Sequence, residues 1–295
     1  MKILLIGKNG QVGWELERLL PQVGETIALG RAQADLADVD QLVSTVRALR
    51  PTVIVNAAAY TAVDRAEAEA ELSFAVNARA PRVLAEEAKR LGAYLIHFST
   101  DYVFDGAKRV PYVEGDAPNP LSVYGASKLE GERGMIAAGG RHAILRTSWV
   151  YAHRGRNFFL TMLDKGRAGK PLRVVADQRG APTWAGDLAR VASALARQAD
   201  PAQGLYHAAA GGETTWCGFA QEIFRQAGLD VPVEPITTAE YPVAARRPAY
   251  SVLDSTHLTR ASGIAAIGDW NERLSSMISE RIGAMQPTGR SGARM

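Results

Sequence analysis

Between residues 2 and 147, five short runs rich in Ile, Leu and Val (2–6, 26–29, 52–56, 94–99 and 143–147) alternate with longer amphipathic stretches. Strands that are apolar on both faces must be covered on both faces, and long connections between them suit parallel pairing rather than hairpins. The alternation therefore predicts βαβ units around a parallel sheet, with helices over 11–20, 39–50, 66–91 and 122–138. Pro81 falls inside the third of these, so a kink or a division into two helices is expected there. This pattern describes an α/β domain over 1–150, Rossmann-like and doubly wound.

After about residue 148 the alternation loosens. Helical periodicity returns at 158–167, 185–197, 216–227 and 270–282, with strand-like pieces at 172–175 and 205–208 and proline turns between 232 and 248. A smaller C-terminal α/β substrate-binding lobe is expected over 151–285, interleaved with the core and laid over one end of the sheet. Residues 286–295 lack a hydrophobic period and read as a tail. The balance of 47% hydrophobic and 22% charged residues is that of an ordinary globular chain, and 295 residues can bury a core without staples. The single cysteine, Cys217, cannot form an internal disulfide and fits a reducing compartment. A net charge of +3, from 34 basic against 31 acidic residues, is too small and dispersed for a nucleic-acid stripe. No apolar run approaches a membrane span, and the run 3–6 is too short for a signal segment. A cytoplasmic protein without nucleic-acid or membrane partners is expected.

The chemistry begins at the first strand's end, in Gly7-Lys8-Asn9-Gly10-Gln11-Val12-Gly13. Glycines are needed where backbone turns sharply and approaches a diphosphate, and a helix N-terminus supplies free N–H groups to the anion. The alternative is a plain strand-to-helix turn; its position between strand and helix favours dinucleotide binding. The second strand ends at Leu29-Gly30-Arg31, with no acid to bind ribose hydroxyls. Arg31 there favours the 2′-phosphate of NADPH, with NADH also open and a solvated surface arginine as the bland alternative. Asp35 and Leu36 could instead cover the adenine edge.

Tyr124 and Lys128, in Ser122-Val-Tyr-Gly-Ala-Ser-Lys128, fall at i and i+4 on one predicted helix. A phenol is a poor acid–base group near neutrality, and a neighbouring ammonium lowers its pKa towards the working range. Alone, that spacing is common on solvated helices. However, Thr100 follows the strand 94–99, and Ala57-Ala58-Ala59-Tyr60-Thr61 follows another, so both lie at the carboxyl ends of strands, where open parallel sheets bind ligands. The five histidines show no paired ligand spacing, and His97, inside a strand, reads as a satisfied core residue. Cys217 has no base beside it. Arg246 and Arg247 could clamp a diphosphate or form a solvated turn, and Trp184 and Trp216 read as packing residues.

Taken together, GKNGQVG, NAAAYTAVDRAE, FSTDYVFDG, the Tyr-x-x-x-Lys segment and RTSWVY resemble the dTDP-4-dehydrorhamnose reductase family of the extended short-chain dehydrogenase/reductases. The resemblance is distinctive from Met1 to about Trp184 and looser through Arg247-Pro248 and Leu253-Asp254. It implies NAD(P)H-dependent reduction of the 4-keto group of dTDP-4-dehydro-L-rhamnose to dTDP-L-rhamnose, the last step of dTDP-rhamnose biosynthesis. By the same resemblance Tyr124 donates the proton, Lys128 binds the nicotinamide ribose and lowers the tyrosine pKa, and Thr100 hydrogen-bonds the reacting oxygen. Gly10, Gln11 and Val12 meet the diphosphate, Asp35 and Leu36 the adenine side, and Ala59, Tyr60 and Thr61 the middle of the cofactor. Trp149 packs against the sugar nucleotide.

Two departures stand out. Tyr60 occupies a position where relatives often carry histidine. Some members form dimers bridged by Mg²⁺; Glu15 matches one acidic position, but Thr183-Trp-Ala-Gly-Asp187 has glycine where the second acid is expected. The Mg²⁺ bridge is thus left open, beside a monomer or another homodimer. Two alternatives remain: a nucleotide-sugar epimerase or dehydratase, and a non-catalytic regulatory subunit of the methionine adenosyltransferase type. A dehydratase needs an acid–base pair beside the threonine, and Tyr102 rather than glutamate follows Asp101.

Overall fold

A computed structural model describes residues 1–285. Its first half runs β1 (Lys2–Ile6), α1 (Gln11–Leu19), β2 (Glu25–Leu29), α2 (Val39–Leu49), β3 (Val53–Asn56), α3 (Val63–Ala66), α4 (Ala70–Phe74), α5 (Ala80–Leu91), β4 (Tyr94–Thr100), α6 (Val123–Ala138) and β5 (His142–Thr147). The second half adds β6 (Val150–Tyr151), α7 (Phe158–Arg167), β7 (Leu172–Val175), β8 (Arg179–Gly180), β9 (Thr183–Trp184), α8 (Ala185–Arg197) and β10 (Gly204–His207). It ends with β11 (Thr214–Thr215), α9 (Trp216–Ala227), β12 (Val233–Ile236), α10 (Thr256–Ser262) and α11 (Trp270–Met285). The tail expected over 286–295 lies outside the described residues. No described helix is long and apolar enough to cross a membrane.

Six strands form one parallel sheet in the order β10-β5-β4-β3-β1-β2. The strand order reverses at β1, so the crevice beyond the carboxyl ends of β1 and β3 is the topological switch point, where open α/β sheets take ligands. Successive strand residues serve opposite faces. Ile3, Leu5, Val55 and Ile96 pack with Leu16 of α1 and Leu188 and Leu195 of α8. Leu4, Ile6, Ile54 and Leu95 meet Leu42 and Val46 of α2, Leu84 of α5 and Met135 of α6. Each such aliphatic side chain contributes about 1.5–3 kcal/mol by leaving water.

The second half interleaves with this core rather than standing beside it. β10 pairs with β5 along the sheet edge, and α8 covers the α1 face. The remaining segments build a separate aromatic core from Tyr151, Phe159, Trp184, Phe219, Phe224 and Leu274.

The stretch 66–91 divides, but upstream of the proline. A π-helical turn, Ala75–Arg79, joins α4 to α5, and Pro81 sits in the first turn of α5. Helical backbone runs unbroken through 70–91, and the residue four before Pro81, Asn77, falls in the widened π turn, which accommodates the proline ring and its missing N–H.

Candidate active site

The glycine turn is tied to its neighbours by backbone alone. Gly7 has φ +91°, and a Cβ on it would lie 2.7 Å from the Ala58 nitrogen at the end of β3. A Cβ on Gly13 would lie 2.0 Å from the Gly7 carbonyl oxygen. Gly10 is the N-cap of α1 and no side chain caps the helix, so its first amides are left to an external acceptor. Beside them the buried Gln11 Oε1 has no hydrogen-bond partner. An uncapped N-terminus in a groove without side chains suits a diphosphate.

Around the adenine side the expected residues separate. Arg31 is exposed and pairs with Asp35 at 3.1 Å. Asp35 also accepts the Ala37 N–H, which, with Arg31, holds its carboxyl below the ordinary value. Leu36 turns inwards and is buried in the α2–α5 core, so its side chain packs rather than facing the crevice. At the end of β3, the Tyr60 N–H donates to Asn77 Oδ1 at 2.8 Å, and Asn77 Nδ2 returns to the Tyr60 carbonyl at 3.0 Å. Asn77 belongs to the π turn, whose irregular backbone aims this side chain across to α6, 3.1 Å from Ser127 Oγ. Ala59 and Tyr60 are partly covered and Thr61 is exposed.

The chemical end is built by β4 and α6. Ser122 caps α6 by accepting the Gly125 N–H at 3.2 Å, which fixes the start of the helix that carries Tyr124 and Lys128. Thr100, the last residue of β4, donates to Asp101 Oδ1 and accepts the Tyr102 N–H, both at 3.1 Å. Burial pushes the Tyr124 phenol up to about 12; hydrogen bonding with Thr100 opposes this and the Asp101 carboxylate reinforces it. The phenol is therefore held protonated, as a proton donor must be. Burial also raises Asp101 to about 7, against hydrogen bonds from Ser251 and Thr100.

Lys128 differs from the simple expectation that it lowers the phenol. Its Nζ donates to the Phe98 carbonyl at 2.6 Å and lies 3.1 Å from His97 Nε2. Burial brings it down to about 8, with Glu132 opposing.

Across the crevice stands Trp149, half-buried, with φ +47°, a backbone conformation rare for a bulky residue. Its ring stacks on Trp216 at 3.6 Å and 7°, and a Cβ on Gly180 would collide with it. Trp216 is held by Gln178 at 3.1 Å, so the packing residue of the sequence reading is half of an aromatic platform. Arg247 makes a two-pronged pair with Asp64, at 3.1 and 2.8 Å, and is also hydrogen-bonded to Tyr102. Arg246 is exposed.

Residues 1–282 match the family described as RmlD substrate binding domain. The dTDP-4-dehydrorhamnose reductase of Burkholderia thailandensis is 46% identical over 285 residues, covering 92% of this chain and 95% of that one. This chain belongs to the dTDP-4-dehydrorhamnose reductase family. The Salmonella typhimurium reductase is 42% identical, with 95% and 98% of the two chains covered. Among solved structures, a dTDP-4-dehydrorhamnose reductase from Bacillus anthracis in complex with NADP superposes with a TM-score of 0.90 at 35% identity, over 95% of this chain and 99% of that one.

Against the metal-bridged dimers expected of some reductases in this family, Glu15 and Asp187 are surrounded by cations. Asp187 receives Arg190 at 2.8 Å and Arg273 at 2.9 Å on both prongs. Glu15 lies among Arg18, Arg190 and Arg154, with burial raising its pKa. Guanidinium groups already serve Asp187, whereas the buried Glu15 Oε1 has no hydrogen-bond partner and Glu280 adds to the rise of its pKa; no cluster of three His, Cys, Asp or Glu among the described residues could hold a metal ion. Asp187, held by two guanidinium groups, is thus not open to a metal within one chain. Four residues packed around the candidate site escaped the sequence reading: Asn56, Asn77, Asp101 as a buried acid, and His97 as a contact of Lys128. Only Asp101 carried a sequence signal, its place directly after Thr100.

Proposed function

We propose that this protein reduces the 4-keto group of dTDP-4-dehydro-L-rhamnose to give dTDP-L-rhamnose, using NADPH. The observation that carries the reading is the convergence of Thr100 and a protonated Tyr124 at the switch-point crevice, with the uncapped glycine turn alongside. When bound, the dihydronicotinamide would supply the hydride that the substrate carbonyl carbon takes up. Tyr124 donates its phenolic proton to the carbonyl oxygen, and Thr100 orients both oxygens by hydrogen bonding. Lys128 holds the nicotinamide ribose, the amides of Gln11 and Val12 receive the diphosphate, and Trp149 covers the sugar nucleotide. Arg31, exposed at the end of β2, is free to exchange Asp35 for a 2′-phosphate, which favours NADPH over NADH.

The test follows NADPH oxidation with dTDP-4-dehydrorhamnose generated in situ from dTDP-glucose. Turnover is expected, and Tyr124→Phe should lower kcat by about 10²–10⁴-fold. Absent turnover, or an unchanged Tyr124→Phe enzyme, would overturn the reading. Arg31→Ala should narrow the preference for NADPH over NADH; identical preference in both proteins would refute that part alone.

A further inference from the structure

His97 and Asn56 lie on adjacent strands behind the catalytic helix, both about 1% exposed. Their hydrogen bonds leave only one arrangement of protons. Asn56 Oδ1 accepts the Ala58 N–H at 3.1 Å, so the amide nitrogen, not the oxygen, faces His97 Nδ1 at 3.1 Å. An amide N–H₂ only donates, so Nδ1 must accept. His97 is held neutral, well below its ordinary pKa, by burial and by Lys128. A neutral imidazole that accepts at Nδ1 carries its proton on Nε2. That N–H points at Lys128 Nζ, 3.1 Å away.

An N–H facing an ammonium is a meeting of two donors. The conflict disappears if Lys128 is an amine: its lone pair accepts from His97 while one of its own N–H groups donates to the Phe98 carbonyl. We propose that His97, its tautomer locked by Asn56, is a positioning residue that stabilises the amine form of Lys128 in the cofactor-free protein. This rests on the reductase reading for its consequence. Once Tyr124 has given its proton to the substrate oxygen, a Lys128 ammonium on the same helix would favour the phenolate; by favouring the amine, His97 sets the pH below which that ammonium is present.

The other charged groups around Lys128 do not supply this effect. On its own helix Glu132 favours the ammonium, but it is itself held by Arg146 of β5 and by Ser99 of β4. Asp101, at the end of β4, acts on Tyr124. The packed π turn and α4 contribute only neutral Asn77 and Ser73, both engaged with Ser127.

The test uses the intact protein without cofactor. Nitrogen-15 shifts of the His97 ring report the tautomer, and the Lys128 Nζ signal reports its titration. Wild type should show the Nε2–H form. Asn56→Asp replaces the donor with an acceptor, so His97 should switch to Nδ1–H and offer Nε2 to the ammonium. His97→Gln presents a carbonyl instead, without adding charge. In both variants the Lys128 midpoint should rise by at least about one pH unit, a tenfold change in its ionisation equilibrium. The pH dependence of kcat should move with it. An Nδ1–H tautomer in wild type, or a midpoint unmoved in both variants, overturns the proposal. Because the tautomer and titration need no substrate, they stand or fall apart from the choice of reaction.

Discussion

Asp101 offers a sharp test of how burial sets the charge of the site. The carboxyl is 2% exposed, its Oδ2 has no hydrogen-bond partner, and burial raises it from 3.8 to about 7. In the unfolded chain it ionises near 3.8, whereas in the fold it keeps its proton until about 7. Its contribution to stability is therefore fully present below about pH 4 and lost as the pH rises towards 7. Between pH 5 and pH 8 the loss spans about two pH units, or on the order of 3 kcal/mol. Asp101→Asn removes the ionisation while keeping the shape. The variant should gain on wild type by roughly 4–6 °C in Tm on moving from pH 5 to pH 8. Paired thermal scans at the two pH values measure this, and the same Tm difference at both would refute the argument that burial keeps Asp101 neutral.

Two further outcomes follow from contacts already described. Gly13→Ala places a Cβ 2.0 Å from the Gly7 carbonyl, so the turn must shift; a loss of about 1–3 kcal/mol and a raised Kd for NADPH are expected by thermal melting and fluorescence titration. Glu132→Gln leaves Arg146, only 3% exposed, as an uncompensated buried cation; urea unfolding should show a loss of about 3–5 kcal/mol, and a loss under 1 kcal/mol would contradict that account.

The sheet was legible because doubly covered strands must be made of Ile, Leu and Val, and their spacing leaves room for at least one helix between them. The glycine turn was legible for a similar reason: a close backbone approach admits no side chain. The rest depends on contacts that no local pattern encodes. His97 meets Lys128 across 31 positions and Asn56 across 41, and nothing in a strand's periodicity separates a histidine facing a lysine from one facing leucines. The irregularity near Pro81 is a π turn at Ala75–Arg79, just before the proline, and a proline marks that a helix must deviate without showing which form the deviation takes. Leu36 lay beside Asp35 in sequence, but neighbours in an irregular segment can face opposite ways, and it went to the core. The two-residue strands β6, β8, β9 and β11 are too short to show alternation at all.

The buried groups of the chemical end share one property: burial drives each towards its neutral form. Tyr124 stands at about 12, Asp101 at about 7 and Lys128 at about 8, and His97 lies well below its usual value. Fixed charge is confined to ion pairs: the buried Glu132–Arg146 pair behind Lys128, and the Asp64–Arg247 and Arg31–Asp35 pairs nearer the surface. Delivery of a hydride and a proton to a carbonyl leaves a neutral hydroxyl, so the group that protonates the oxygen must hold its own proton at the outset, as the buried Tyr124 does. The diphosphates, by contrast, need binding that does not vary along the reaction, and backbone amides at the start of α1 provide it without a titrating group. The two ends should therefore separate kinetically. Changes at Gly13 or Arg31 should act on KM for the cofactor with kcat little altered, whereas Tyr124, Thr100 and His97 should act on kcat and its pH profile. A Gly13→Ala enzyme whose loss lay in kcat alone would show that the turn positions the nicotinamide as well as holding the diphosphate, and the division between the two ends would fail.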